Sequence, residues 1–404
     1  MTTPAPVRTM LAAALAAALA AALFTAPPAG ARLPGEDRAP TLPVPTLPLP
    51  TTATVTVDQL GPDSVVAVVS HGNFAKLNAE GLARSLEVIT PDGVRHPVYT
   101  VQVRESRRGW FHGDFTLADW RPELHTALLR VSLGQDGDKL MSYDVTTGAT
   151  KEVVAPQRAN SVALDPDGSG VLMTTYPSAR RPGRVGTLGW DGAKAWFRAR
   201  SDGTAITSTD GRTLVTDENG ARRWWLTDLA TGTSSAVATP GMCRPLRWAD
   251  ADSVVASCRR RAANQLRLVD LDGTSSRLGI RHTERTRRRG AAIFDDEDVR
   301  TVRGRSWYES YGGCGGGLLT RQTASGVARI VRVPGHNGTL TLVGTRGDDL
   351  LVALQRTDCG SWPDRAVLST FDPVSRTETV LTRLGRKETW REVIAATEVR
   401  SWIW

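Results

Sequence analysis

Seven short turns recur along this 404-residue chain, and they constrain its fold more than any other feature. Six pair a small or acidic residue with glycine and the last has arginine instead: Asp92-Gly93, Thr147-Gly148, Asp191-Gly192, Thr231-Gly232, Asp272-Gly273, Ser325-Gly326 and Ser375-Arg376. Successive turns are 55, 44, 40, 41, 53 and 50 residues apart. Each separates two short runs rich in Val, Leu, Ile, Thr or aromatic residues. An all-strand repeat of about 40–50 residues is typical of a β-propeller blade.

The runs between these turns predict an all-β chain of seven four-stranded blades, with strands A to D in each. Counts of six or eight blades stay open. Residues 52–57 are interpreted as strand A of blade one. In blade six, residues 291–296 and 299–304 are interpreted as strands A and B. Residues 388–404 do not fit a full unit, and we expect them to close the ring by pairing with blade one.

The segment before the repeats has the pattern of an export signal. Arg8 precedes an apolar stretch, Leu11 to Phe24, and Ala29-Gly30-Ala31 is a small-x-small cleavage site. The alternative is an uncleaved anchor, but the stretch is short for a membrane span of about 20 residues. We therefore predict a signal peptide at 1–31, a stiff Pro-rich linker at 32–51 and a propeller domain at 52–404.

Four cysteines, all beyond the predicted signal, favour two disulfides in an exported protein. Cys243 and Cys258 flank the Asp250-Ala251 turn at equal steps, so an antiparallel hairpin would place them opposite each other. Cys314 and Cys359 then remain, and a link between them would join blades six and seven. A metal site and free thiols are the alternatives. No Cys-x-x-Cys or nearby His pairing occurs, so no metal or other cofactor is expected.

Two segments resemble known propeller repeats. The blocks at Tyr143–Val154 and Ser208–Val237 look like TolB-type and related WD-like repeats, and Asp-x-x-Thr-Gly occurs at Asp144–Gly148 and Asp228–Gly232. This resemblance extends over most of residues 52–404 at the level of single blades. It implies a rigid secreted or periplasmic platform that often binds proteins. It does not imply one activity, because unrelated functions use the same scaffold.

Long connections are predicted on one face of the ring, between strands B and C and between successive blades. They include 70–84, 104–111, 177–183, 217–223, 259–264, 281–290, 304–317 and 357–365. Arginines cluster on them, and binding residues tend to lie on such loops. The candidate binding residues are Arg107, Arg108, Arg180, Arg181, Arg222, Arg223, Arg259, Arg260, Arg261, Arg285, Arg287, Arg288 and Arg289, together with Trp307 and Trp362 for stacking on sugar rings.

No hydrolase elbow, zinc-binding helix or phosphate loop occurs in the sequence, so no catalytic residue is predicted. The formal net charge of +8 and the clustered arginines favour acidic partners. We expect a secreted or envelope-associated monomer, without a membrane span after signal cleavage and without specific nucleic-acid binding. It would bind a protein or an anionic wall polymer. The alternative is a propeller glycosidase or lyase that acts on extracellular polysaccharide through a carboxylate pair in the central funnel.

Overall fold

A computed structural model describes the chain between residues 50 and 396, with internal gaps. The described ranges are 50–72, 82–105, 111–178, 182–201, 203–218, 220–260, 263–279, 293–312, 317–323, 328–334, 339–355 and 366–396. Within these ranges the chain forms seven antiparallel sheets, arranged as a seven-bladed β-propeller, and it contains no α-helix. The predicted signal peptide and nearly all of the predicted linker lie outside the described residues.

Blades one and two each have a fifth strand. Blade one contains β1 (Thr51–Thr52), β2 (Val65–His71), β3 (Ala83–Ile89), β4 (Arg95–Gln102) and the last strand, β30 (Glu388–Ala395). Blade two contains β5 (Arg104–Glu105), β6 (Phe111–Arg121), β7 (Thr126–Leu133), β8 (Asp138–Asp144) and β9 (Thr150–Val154). Two short 3-10 helices, Pro122–Leu124 and Gly134–Asp136, join strands of blade two.

Blades three to five follow the predicted A–B–C–D order. Blade three contains β10 (Ala159–Leu164), β11 (Gly170–Thr175), β12 (Gly183–Gly189) and β13 (Lys194–Ser201). Blade four contains β14 (Ala205–Thr207), β15 (Thr213–Asp217), β16 (Arg223–Asp228) and β17 (Ser234–Ala238). Blade five contains β18 (Met242–Trp248), β19 (Ser253–Arg260), β20 (Ala263–Asp270) and β21 (Ser275–Arg277).

Blades six and seven complete the ring. Blade six contains β22 (Ile293–Val302), β23 (Arg305–Gly312), β24 (Gly317–Gln322) and β25 (Ala328–Ile330). Blade seven contains β26 (Thr339–Arg346), β27 (Asp349–Gln355), β28 (Ala366–Asp372) and β29 (Thr377–Arg383).

The predicted ring closure is confirmed, but the prediction for strand A of blade one is wrong. β30 pairs with β2 over seven residue pairs, from Val65↔Ala395 to His71↔Glu388, and so occupies the inner position. Residues 52–57 lie elsewhere: the short β1 pairs with β4 at the outer edge of the sheet. A run of alternating Thr and Val fits either edge of a sheet, and pattern alone does not choose between them.

Blade six also differs from the prediction. β22 is one long strand that includes the described part of the first predicted run, 293–296, and the start of the second, 299–302, and it turns at Arg303-Gly304 into β23. β23 therefore replaces most of the long loop predicted at 304–317. The acidic run Asp295–Asp298 misled the interpretation, because acidic residues usually mark turns. Here bulges next to Asp295 and Asp298 carry the run within the strand.

The described core consists of seven clusters, one between each pair of neighbouring blades. Alternate residues of a strand serve the two neighbours because successive side chains point to opposite faces. On β2, Val66 and Val68 pack toward blade two, whereas Val65, Ala67 and Val69 pack toward blade seven. The sequence thus buries both faces of every sheet, and the ring is held by contacts between blades.

Two of the recurring turns show why glycine is needed. Gly93 in blade one and Gly192 in blade three have nearly the same positive φ, 86° and 85°. Each also donates its backbone N–H to the residue three positions earlier, Thr90 and Gly189 respectively. Gly93 has a further constraint, because a Cβ there would collide with the carbonyl of Leu381 in blade seven, while Gly192 faces open space.

Candidate functional site

One face of the ring carries the B–C connections and the blade-to-blade connections, and we call it the long-loop face. The connections 72–82 and 356–365 are long, as predicted, and each joins strands B and C of its blade. Two predicted loops are shorter than expected. Arg260 pairs with Ala263, so β19 and β20 meet in a tight hairpin, and β23 replaces the predicted loop in blade six.

The predicted arginine clusters fall mostly outside the described residues. Arg222, Arg223 and Arg259 are described and exposed on the long-loop ends of blades four and five, and Arg260 ends strand β19. Arg223 is held in place by Glu218, whose Oε2 accepts from its Nε at 2.7 Å. Arg107, Arg108, Arg180, Arg181, Arg261, Arg285, Arg287, Arg288 and Arg289 lie outside the described residues.

Large apolar side chains accompany the arginines on this face. Tyr176 at the end of β11, Met242 at the start of β18 and Tyr311 near the end of β23 are 52%, 39% and 39% exposed. Tyr, Met and Arg are the residue types that protein interfaces favour. The described part of the long-loop face therefore combines charge with apolar contact surface.

Of the two tryptophans predicted to stack on sugar rings, Trp307 is the one that lies within the described residues. Trp307 lies on β23 and is 2% exposed, where it packs between blades six and seven. It is core and cannot stack on a sugar, so its assignment to the loop was wrong. The error follows directly from the missed strand. Trp362 lies outside the described residues.

The first predicted disulfide is present and the second is not described. Cys243 and Cys258 are directly paired residues of β18 and β19 and are joined by a disulfide. Both are buried in the cluster between blades four and five. Cys314 and Cys359 lie outside the described residues, so their link stays a prediction.

A second candidate site lies in the middle of the ring, where inner strands surround a cavity of about 360 Å³, here called the central channel. Its walls come mainly from the inner strands β6, β18, β22 and β30, with Thr341 of β26 and Ala353 and Gln355 of β27. Eight charged side chains line it: Asp119, Arg247, Glu297, Asp298, Arg300, Glu309, Arg391 and Glu392. Apolar neighbours such as Leu117, Leu246 and Ile394 complete the lining. The sequence did not predict that these residues share a site: Glu297 and Asp298 were interpreted as part of a turn, and Glu309 as part of a loop.

The arginines of the central channel are engaged with carboxylates. Arg247 and Arg300 both pair with Asp298, each at 3.0 Å. Arg391 pairs with Asp114 at 3.4 Å and lies 4.0 Å from Glu392. Guanidinium groups held in this way fix the carboxylates, but they leave little positive charge for an incoming anion.

At two carboxyl groups of the central channel, burial raises the pKa more than the neighbouring positive charges lower it. Desolvation raises the pKa of Asp119 to about 6, although Arg121 and the backbone N–H of Leu164 oppose the shift. Desolvation also raises the pKa of Glu392 to about 7, against the effect of Arg391 and Arg84. The Glu392 side chain keeps 28% of its surface accessible, yet its Oε2 atom is buried and has no hydrogen-bond partner among the described residues.

A polar cluster at the ring closure was also missed by sequence reasoning. His71 Nδ1 lies 2.9 Å from Glu388 of β30, and its Nε2 lies 2.7 Å from Ser85 Oγ. Arg95 bridges Glu388 and Glu87, with 2.7 Å to each. The serine, histidine and acid are ordered as in a hydrolase triad, but Ser85 is buried and donates its hydroxyl to Glu87. The cluster therefore connects the closing strand to blade one, and it has no exposed nucleophile.

Within the described ranges, no group of three or more His, Cys, Asp or Glu side chains is arranged to hold a metal ion. The same ranges contain no helical segment with the length and hydropathy required to cross a bilayer.

Neither a family model nor a curated protein matches the chain. Solved structures do match in fold. The dihydro-heme d1 dehydrogenase NirN is 16% identical, with 83% of this chain and 76% of that chain covered and a TM-score of 0.45. TolB from Acinetobacter baumannii is 13% identical, with 85% and 87% covered and a TM-score of 0.36. An oligogalacturonate lyase in complex with manganese is 13% identical, with 79% and 85% covered and a TM-score of 0.45.

The matches include TolB, as the repeat resemblance suggested, together with a dehydrogenase and a lyase. Identities at this level indicate a shared fold and carry no information about activity. The function must therefore be argued from the surfaces and the cavity of this chain.

Proposed function

We propose that this protein is a secreted, non-enzymatic β-propeller that binds a protein or an anionic envelope polymer through its long-loop face. One observation carries the proposal: the described part of that face exposes Arg222 and Arg259, and it also exposes Tyr176, Tyr311 and Met242, which pairs with Arg259. Arginine supplies paired donors to carboxylates or phosphates, and the aromatic and Met side chains supply apolar contact.

Two features support an exported protein. The N-terminal pattern is that of a cleaved signal peptide. The buried Cys243–Cys258 disulfide is a cross-link that persists in oxidising compartments outside the cytosol. Both agree with a partner in the envelope, and we infer that the mature protein acts there as a monomer.

A pull-down of the mature protein against envelope fractions at low and high salt tests the proposal. Replacing Arg222 and Arg259 with Ser should reduce binding, most clearly at low salt, because screening weakens such contacts. Arg212→Ser is the matched control, since Arg212 is 84% exposed but lies at the A–B turn on the opposite face. Joint neutralisation of Arg285, Arg287, Arg288 and Arg289 extends the test to the predicted basic loop. Equal binding by all variants would contradict the proposal.

A second candidate function is cleavage of an extracellular polysaccharide in the central channel. The observation that favours it is the presence in one cavity of Asp119 and Glu392, whose pKa values are raised, and of Asp298, which two arginines hold. A carboxyl group with a raised pKa can act as a general acid beside an ionised partner. Incubation with wall and capsular polysaccharides should then release reducing ends or unsaturated products, and Glu392→Gln should abolish the release. Unchanged polysaccharides would remove this candidate.

A further inference from the structure

The lining of the central channel carries more carboxyl than guanidinium groups, although the whole chain carries a formal net charge of +8. Its lining contains five carboxyl groups and three guanidinium groups. Charge inside a narrow, protein-walled space is screened less than charge on the surface. An ion that enters the channel therefore meets more acidic than basic side chains, whose charge is fully present once Asp119 and Glu392 are ionised.

The carboxyl groups of the lining differ in how well neighbouring donors hold them. Asp298 has two arginine partners, and Glu309 accepts the backbone N–H of Leu342 at 2.8 Å. Glu392 has weaker partners, because its buried Oε2 makes no hydrogen bond within the described residues and its Oε1 lies 4.0 Å from Arg391 Nε, with the backbone N–H of Leu117 nearby. The Glu392 side chain is 28% accessible, so a donor placed in the channel can reach its carboxyl group.

The volume of the channel and its apolar walls restrict the size and chemistry of the ligand further. A volume of about 360 Å³ is at the small end of ligand cavities in proteins. Leu117, Leu246 and Ile394 provide apolar surface beside the charged groups. The combination fits a short aliphatic chain that ends in a charged donor.

We propose that the central channel is a binding site for a small organic cation, an alkylammonium group whose charge pairs with the Glu392 carboxylate. The ammonium group donates to the Glu392 carboxylate, and its methylene chain packs on the apolar wall. The site is separate from the long-loop face, so it does not depend on the envelope partner, and it occupies the same cavity as the second candidate function. The alkylammonium group can belong to a free amine or to a lysine side chain of a docked protein.

Isothermal titration of the mature protein with butane-1,4-diamine at pH 8 tests the inference, with N-acetyl-lysine amide as the second probe. We expect saturable one-site binding of at least one probe and none of butane-1,4-diol. Glu392→Gln should weaken binding about tenfold or more, as expected for a lost charge-assisted hydrogen bond. Glu152→Gln is the control: Glu152 is an exposed acid on β9 that pairs with Lys139, away from the channel lining.

Two further measurements separate binding from general disruption. Arg391→Gln removes a neighbouring positive charge and should tighten amine binding, which is the opposite sign to Glu392→Gln. Near pH 7, binding should also release a proton from Glu392, so the measured enthalpy should depend on the ionisation enthalpy of the buffer. Binding of only the diamine would identify a free amine as the ligand, and binding of only the lysine derivative would indicate a docked chain. Absence of binding by both probes, or equal affinity of Glu392→Gln and wild type, would overturn the inference.

Discussion

Replacement of Gly93 by Ala should destabilise the protein more than the same change at Gly192. The two glycines occupy corresponding C–D turns, have φ of 86° and 85°, and donate equivalent turn hydrogen bonds at 2.8 and 2.9 Å. They differ in their surroundings. An added methyl group at Gly93 meets the Leu381 carbonyl of the neighbouring blade, whereas at Gly192 nothing lies within 4 Å. The comparison therefore isolates the contact between blades one and seven.

The magnitude follows from two contributions. An alanine forced to positive φ costs about 1–2 kcal/mol, partly offset by the lower entropy of the unfolded chain, and this contribution is common to both variants. Crowding of a packed site costs about 1–3 kcal/mol more, and only Gly93→Ala incurs it, because backbone carbonyls cannot rotate away as side chains can. We expect a difference of about 1–3 kcal/mol in the free energy of unfolding.

Urea unfolding followed by tryptophan fluorescence measures both variants under the same conditions. Hydrogen exchange should show faster opening of β4 and β29 in Gly93→Ala, with no matching change in Gly192→Ala. Equal losses of stability, or exchange that increases only at the mutated turn, would refute the idea that this turn is packed against the next blade.

Three further predictions concern stability. Replacement of both Cys243 and Cys258 by Ser should lower the free energy of unfolding by about 3 kcal/mol, the value for a closed loop of about 15 residues, as calorimetry of the double variant against wild type would measure. Glu388→Gln should cost about 2–3 kcal/mol above pH 5, against less than about 1 kcal/mol for Glu152→Gln. Hydrogen bonds from His71 and Arg95 lower the pKa of Glu388. The stabilisation by its carboxylate is therefore present above the pKa of the unfolded chain and is lost as the pH falls through the folded pKa. Burial raises the pKa of Glu392 to about 7, so wild type should lose about 2–3 kcal/mol between pH 4.5 and 8, and urea titrations of Glu392→Gln should lack this contribution.

The blade pattern could be predicted because it rests on local chemistry. Turns such as Asp191-Gly192 need positive φ, which few residue types adopt, and their spacing repeats with the blades. The pairing of Cys243 with Cys258 was also local, since it followed from equal steps around one hairpin turn. The pairing of β30 with blade one could be predicted because a strand left over after seven blades must pair with the free edge of a sheet.

The errors occurred where local pattern and tertiary context disagree. Asp296 looks like a turn residue, but it is buried inside β22, where its Oδ1 accepts from Ser310 and its Oδ2 from Gln322. Such partners come from other strands and are invisible in the sequence. The same error moved Trp307 from the core to a loop.

The central channel could not be predicted for a related reason. Its charged residues, such as Asp119, Arg247 and Glu392, come from inner strands of different blades and have no common spacing. Only closure of the ring brings them together. A weak signal was present, since charged residues interrupt otherwise apolar inner strands, but the sequence does not tell which of them face one another.

The pairing of β30 with β2 has a consequence for how the molecule is made. Residues more than three hundred positions apart in the chain must meet before the first sheet is complete. Such distant pairing slows folding, so the edge of β2 stays open as a template for foreign strands until the ribosome has delivered nearly the whole polypeptide. If the chain is exported unfolded, as proposed above, that edge stays exposed throughout transit.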